Sequence, residues 1–99
     1  MTTSPADPDY QDDDEMDAAA RKLDLALGEA IRILRLERRW SQDDLAYRSH
    51  ISKRTIGRIE RGESSLQMPQ MFKIATALGL ELPDIMQRAS ELQAKGFGG

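Results

Sequence analysis

Residue types that commonly build catalytic and metal sites are scarce in this chain. Its 99 residues include no cysteine and a single histidine, His50. Without cysteine there can be no disulfide bond and no zinc–thiolate site, and with one histidine a transition-metal site would have to consist mostly of carboxylates. We therefore predict a protein with no catalytic residues, no metal site and no cofactor.

Long apolar runs are also missing. No segment approaches the roughly 20 apolar residues that span a membrane. The opening sequence MTTSPADPDY has neither the basic start nor the apolar centre of a secretory signal. A chain of this length suits one domain with a small core rather than the large buried cleft that most enzymes contain. We expect a soluble, cytoplasmic protein with no membrane association.

Acidic residues outnumber basic ones, but they are concentrated in one segment. The formal net charge is −3, from 17 acidic and 14 basic side chains. Residues 1–20 hold seven of the acids and no lysine or arginine, so residues 21–99 have 14 basic against 10 acidic side chains, a net charge of +4. The first segment also has the prolines and the aspartate run that are typical of disorder. We predict a disordered acidic tail over residues 1–20, a mildly basic folded domain over 21–94 and a flexible end over 95–99.

Two short amphipathic helices joined by a tight turn are predicted within SQDDLAYRSHISKRTIGRIERG, residues 41–62. Ser41 and Ser52 are placed to cap them by accepting from backbone amides of the first turns. In the second helix Ile56 and Ile59 have the spacing of a buried stripe. The opposite side carries what we call the basic face, Lys53, Arg54, Arg58 and Arg61. A helix with basic residues on one side and buried apolar residues on the other is typical of a DNA recognition helix.

Hydrophobic periodicity predicts three further helices, over about residues 17–39, 69–78 and 82–92, with the first beginning somewhere within 17–23. The inner stripe of the first consists of Leu27, Ile31 and Leu34. Trp40, directly before a helix cap, is expected to pack over the first two helices. The spacing of Met68, Met71 and Met86 favours gap filling in the core over an adaptable binding surface.

The motif Ser41-Gln42-x-x-Leu45-Ala46, then Ser52, Ile56 and Ile59-Glu60-x-Gly62, resembles the Cro/repressor-type helix-turn-helix family of bacterial and phage regulators. The resemblance extends from about Leu27 to Met86. It implies an all-α, compact five-helix bundle with the helix-turn-helix of a lambda-repressor-like domain. It also implies a sequence-specific transcriptional regulator, a dimeric repressor or autoregulator whose partner is double-stranded DNA.

The same resemblance assigns roles to individual residues. Base contacts in the major groove fall to Lys53, Arg54 and Arg58. Phosphate contacts fall to Ser41, Gln42, Ser52 and Arg61. Arg35 and Glu60 correspond to an ion pair that ties the first helix to the third. The apolar side of the last helix is expected to form a homodimer interface of Ile85, Met86, Ala89 and Leu92.

Three positions depart from the family pattern. His50 occupies the turn position where glycine is usual, which requires a left-handed backbone that histidine tolerates better than most residues. The proline usual after the recognition helix is replaced by Leu66, while Pro69 falls in the first turn of the next helix, where proline is tolerated. Gly57 lies inside a helix, where glycine costs about 1 kcal/mol relative to alanine, and it could allow close approach to DNA.

Other functions remain open from the sequence. A chain of this kind can be the DNA-binding antitoxin of a toxin pair or the controller of a restriction-modification system. It can also be a protein-interaction adaptor that keeps the fold without DNA binding and holds a partner through the acidic tail or the last helix. The acidic tail is either a solvated segment, or it competes with DNA for the basic face. DNA binding at low salt by a variant lacking residues 1–17 separates these two possibilities.

Overall fold

The computed structural model describes residues 13–98, and these residues form five α-helices and no strand. The helices are α1 (Asp13–Glu37), α2 (Gln42–Ser49), α3 (Lys53–Glu60), α4 (Met68–Leu78) and α5 (Leu82–Ala94). The predicted all-α, five-helix fold is confirmed. Residues 95–97 continue α5 as hydrogen-bonded turns. Within the described range, no helix has the length and apolar character needed to cross a membrane.

Helix α1 begins earlier than the sequence predicted, at Asp13 instead of within residues 17–23. Its first turn contains Asp13, Asp14 and Glu15, whose carboxylates favour a helix N-terminus because the exposed amides carry partial positive charge. Three alanines follow at 18–20, and alanine is the best helix former. The prediction of disorder is therefore wrong for residues 13–20. Its remaining part, residues 1–12, lies outside the described residues.

The core lies where α1 crosses the other helices. Leu27, Ile31 and Leu34 are buried as the periodicity predicted, and Trp40 packs against this core while half-exposed. Gly28 marks the closest approach of α1 to α3, because a Cβ atom there would overlap the Ile59 carbonyl oxygen. The core is completed from the other four helices by Leu45, Ile56, Ile59, Met71, Ile74, Leu78 and Ile85, among others.

The connections between helices follow the predicted turn chemistry. Helix α3 ends at Glu60, and two residues later Gly62 adopts a left-handed conformation with a φ of 71°. The Glu63 N–H then donates to the Arg58 carbonyl at 2.9 Å. This is the hydrogen bond that closes a helix of this type. Pro69 lies in the first turn of α4, and Gly79 ends that helix.

Helix α5 packs against α1, which corrects the predicted dimer interface. Ile85 and Ala89 are completely buried within the chain's own core, so neither is available to a second copy. Met86 is exposed and Leu92 is half-buried. The methionine prediction also fails in part: Met71 is buried, but Met68 and Met86 are 63% and 41% exposed. The sequence pattern predicted correctly which side of α5 is apolar. It did not predict how much of that side α1 covers.

Candidate nucleic-acid interface

Helices α2 and α3 form a helix-turn-helix. Helix α2 ends at His50, which adopts the left-handed conformation (φ 59°, ψ 32°) that glycine would otherwise provide, and its N–H donates to the Ala46 carbonyl. The next residue, Ile51, turns into the core and its N–H donates to the same carbonyl at 3.2 Å. Histidine at this position therefore preserves the tight turn, and Ser52 begins α3 directly after it.

Both predicted capping serines cap their helices. The Ser41 hydroxyl oxygen accepts from the Asp44 N–H at 3.0 Å, and the Asp44 carboxylate accepts from the Ser41 N–H at 2.8 Å. The hydrogen bonds from Ser41 hold the pKa of Asp44 below its usual range. The Ser52 hydroxyl oxygen accepts from the Thr55 N–H at 3.2 Å and donates to the Thr55 hydroxyl at 2.9 Å. These caps fix where the amide ends of α2 and α3 point.

A buried ion pair anchors α3 to α1, as the resemblance predicted. Arg35 donates from Nε and Nη2 to the two Glu60 carboxylate oxygens at 2.7 and 2.9 Å. Its third nitrogen, Nη1, donates to the Trp40 carbonyl at 2.8 Å. The hydrogen bonds to Glu60 raise the pKa of Arg35. Because both side chains are almost fully buried, this pair holds α3 at a fixed angle to α1.

Gln42 belongs to the same network. Its side-chain amide donates to Glu60 Oε1 at 3.0 Å, and the residue is only half-exposed. The Gln42 side chain, which is predicted to contact a phosphate, is therefore already held against α3 by a hydrogen bond. A second N–H of the amide remains to donate elsewhere.

The basic face is exposed, and acidic neighbours contact its two ends. Lys53 Nζ lies 3.4 Å from an Asp43 carboxylate oxygen. At the other end Arg61 donates from Nε and Nη2 to the two Glu63 oxygens at 2.9 and 3.1 Å. The hydrogen bonds of this pair raise the pKa of Arg61 and lower that of Glu63.

The middle of the basic face is different. Arg54 and Arg58 are exposed, and neither guanidinium has a hydrogen bond or an ion pair with any of residues 13–98. Their donors are therefore available to an external acceptor. A guanidinium presents N–H groups in a planar fork that matches paired acceptors such as O6 and N7 of guanine.

Several contacts of the interface and its support were not predicted from the sequence. Arg38 donates to the Leu34 carbonyl at 2.8 Å and to the Leu78 carbonyl at 3.2 and 2.8 Å, so it caps the ends of two helices. The Arg48 guanidinium lies 4.3 Å from the centre of the Trp40 ring. The Asp43–Lys53 and Arg61–Glu63 pairs were also missed. Only Arg61–Glu63 had a sequence signal, since its partners are two residues apart across a predicted helix end.

Comparison with known proteins places this geometry in a family. The family description "Helix-turn-helix" matches residues 31–85, more than half of the chain. The chain belongs to the helix-turn-helix family. The matched range includes all of α2, α3 and α4 and the Arg35–Glu60 pair. The resemblance drawn from the motif in residues 41–62 is therefore confirmed.

Individual relatives of this helix-turn-helix domain differ in length. The chain is 41% identical over 54 residues to the HTH-type transcriptional regulator SutR of Escherichia coli (strain K12). That alignment spans 54% of this chain and 30% of SutR, so the chain corresponds to less than a third of that relative.

Two kinds of solved structure share the fold. The clp gene regulator ClgR from Corynebacterium glutamicum matches with a TM-score of 0.68 and 29% identity over 74% of this chain and 81% of ClgR. The restriction-modification controller protein C.AhdI from Aeromonas hydrophila matches with a TM-score of 0.61 and 31% identity over 63% of this chain and 94% of C.AhdI.

Proposed function

We propose that this protein is a sequence-specific DNA-binding transcriptional regulator that reads the major groove with α3. The observation that carries the proposal is the pair of exposed guanidinium groups of Arg54 and Arg58, neither of which has a hydrogen bond or ion pair within residues 13–98. They lie on a helix that the Arg35–Glu60 pair holds against α1. Rigid support matters because base recognition depends on donors that are already in place when DNA arrives.

Phosphate contacts would surround the base-reading groups. Ser41 and Ser52 fix the N-terminal ends of α2 and α3, whose free amides can bind phosphate oxygens. Gln42 and Arg61 lie beside α3 and would contact the backbone of the duplex. Lys53, Arg54 and Arg58 would meet the base edges between them. In this arrangement the phosphates set the register, and the arginines determine the preferred sequence.

A homodimer would place two copies of α3 on successive turns of DNA. The exposed apolar residues Met68, Phe72 and Met86 form what we call the α4–α5 patch. Two adjoining grooves of about 470 and 370 Å³ run along it and share Leu82 and Pro83. An exposed apolar patch beside a groove favours a protein partner, and a second copy fits a regulator that reads two half-sites. This patch replaces the interface expected from Ile85 and Ala89.

Selection from a randomised duplex library at physiological salt tests the function. We expect the retained DNA to be enriched in an inverted repeat with half-sites about one helical turn, roughly 10 bp, apart. The matched control is the double variant Arg54→Ala/Arg58→Ala, which should retain DNA without enrichment. Weak, salt-sensitive and sequence-blind retention by the natural protein would contradict the proposal and favour the adaptor.

Control of a restriction-modification system is the second candidate. The observation in its favour is that C.AhdI, a protein with that role, aligns with this chain over 94% of its own length. A cytoplasmic regulator of its own operon and such a controller would use the same interface. Genes for a nuclease and a methyltransferase beside the coding sequence would favour the controller, and a toxin gene would favour an antitoxin.

A further inference from the structure

Gly57 lies in the middle of α3 and has no local reason to be glycine. Its φ is not left-handed, and glycine is a poorer helix former than alanine. A glycine in such a position leaves room for another group close to the backbone.

The space over Gly57 is occupied by two side chains that the proposed function places at phosphates. A Cβ atom at this position would lie 3.1 Å from Arg61 Nη1 and 3.8 Å from both Arg61 Cζ and Gln42 Oε1. The guanidinium of Arg61 therefore lies next to Gly57, which is buried. Alanine would push the Arg61 guanidinium outward by a few tenths of an ångström.

Glu63 also contacts the guanidinium of Arg61. Nε and Nη2 of Arg61 donate to Glu63, while Nη1, the nitrogen over Gly57, makes no hydrogen bond within residues 13–98. Gln42 is held by Glu60, whose own charge is paired with Arg35. Arg61 Nη1 and the second amide N–H of Gln42 thus make no hydrogen bond within residues 13–98, and they belong to two side chains that both lie within 4 Å of the Cβ position of Gly57.

We propose that Gly57 is a positioning residue for DNA binding: its missing side chain lets the Arg61 guanidinium lie beside Gln42, so that the two side chains bind one backbone phosphate together. The inference rests on the proposed DNA-binding function and deepens it. This role differs from the one expected from the sequence, in which Gly57 lets DNA approach the helix backbone closely. The Arg61 side chain already lies over that part of the backbone.

The test compares Gly57→Ala with Arg61→Ala, separately and combined, in binding to a 20-bp duplex of mixed sequence at low and moderate salt. We expect Gly57→Ala to weaken binding by about three- to tenfold and Arg61→Ala by about tenfold, with a smaller salt dependence for Arg61→Ala. In the Arg61→Ala background, Gly57→Ala should add no further loss, because its effect acts through Arg61.

Thermal unfolding of the same four proteins separates this role from a structural one. Gly57→Ala should raise Tm by about 2–6 °C, with or without Arg61, because alanine favours the helix and the flexible guanidinium can move away. A lower Tm would overturn the inference, since the glycine would then serve packing. Equal loss of affinity from Gly57→Ala in both backgrounds would also overturn it. If the natural protein binds no duplex at all, it is the proposed function that fails.

Discussion

At the scale of single residues, the basic side chains of α3 and its C-terminus differ in what already binds them. Lys53 and Arg61 form ion pairs with Asp43 and Glu63. The guanidinium groups of Arg54 and Arg58 have no hydrogen bond or ion pair within residues 13–98, although the Glu63 carboxylate is near enough for its charge to interact with that of Arg58. A donor without an internal partner loses only water when it binds a base. Lys53 and Arg61 must therefore give up an internal ion pair when they bind a base edge or a phosphate, whereas Arg54 and Arg58 need not.

Replacing Arg54 or Arg58 with alanine should reduce sequence preference. We expect a loss of about 1–3 kcal/mol at the preferred site and relaxed preference at one base position, because a bidentate contact with a base is removed. The measurement is binding to the preferred duplex and to its single-base variants. Lys73→Ala is the control, since it removes one exposed positive charge from α4. A uniform loss over all sequences would instead assign that arginine to a phosphate.

Glu63 is expected to weaken DNA binding in the natural protein. Its carboxylate lies against Arg61 and would remain near a phosphate that Arg61 binds. Glu63→Gln should tighten binding to mixed-sequence DNA at low salt by about two- to fivefold, since one repulsive charge is removed. The effect should shrink as salt screens the charges.

Glu91→Gln on α5 is the matched control for Glu63, because it changes the net charge equally from an exposed position outside the helix-turn-helix. Fluorescence anisotropy with one labelled duplex suffices for both variants. If the two variants tighten binding equally, the effect is one of net charge and the role of Glu63 is refuted.

At the scale of secondary-structure elements, the orientation of α3 depends on how closely α1 crosses it. Gly28 allows the contact, because the Ile59 carbonyl oxygen lies where a side chain would begin and the Glu60 carbonyl oxygen is 3.0 Å from the same point. About two turns further along α1, Arg35 binds Glu60. The crossing and the ion pair together decide the angle at which α3 is presented.

Gly28→Ala should destabilise the fold although alanine is the better helix former. The added Cβ meets backbone atoms that cannot move aside, so the helices must separate, and overpacking of this kind costs about 1–3 kcal/mol or more. Urea unfolding measures the loss. The comparison is Gly57→Ala, where the obstacle is a flexible side-chain end and stability should rise. A Gly28→Ala protein as stable as the natural one would mean that the crossing is looser than described.

At the scale of the whole molecule, charge and apolar surface are separated. The basic face lies on α3, the acidic residues 13–15 begin α1, and the α4–α5 patch lies on two other helices. One molecule could therefore bind DNA and a second copy at the same time.

The acidic residues before Asp13 lie outside the described residues, so competition by the tail stays a hypothesis.

Phe72→Glu should weaken self-association without unfolding the chain. Phe72 is 61% exposed in the single molecule, so a charge there is tolerated by the fold but would be buried between two copies. We expect the dimer dissociation constant to rise by about tenfold or more in sedimentation equilibrium. Met16→Glu, an exposed methionine on α1 with the same charge change, is the control. Equal dissociation constants for the two variants would exclude this patch as the dimer contact.

Local features of this protein followed from its sequence because the interactions that produce them span only a few residues. The caps at Ser41 and Ser52, the left-handed Gly62 that follows α3 and the inner stripe of α1 depend on neighbours within about one or two turns. The family motif extended this to the Arg35–Glu60 pair, whose partners lie 25 positions apart.

Contacts between segments that are distant in the chain did not follow from the sequence. The sequence could not show that α1 covers Ile85 and Ala89, that Asp43 reaches Lys53 across the turn, or that the Arg61 guanidinium lies over Gly57. The acidic start of α1 was misread for a related reason, since charge composition does not show that a helix extends into the segment. Periodicity fixes which side of a helix is apolar. How much of that side is covered, and which charges meet, depends on the distance and angle at which helices pack.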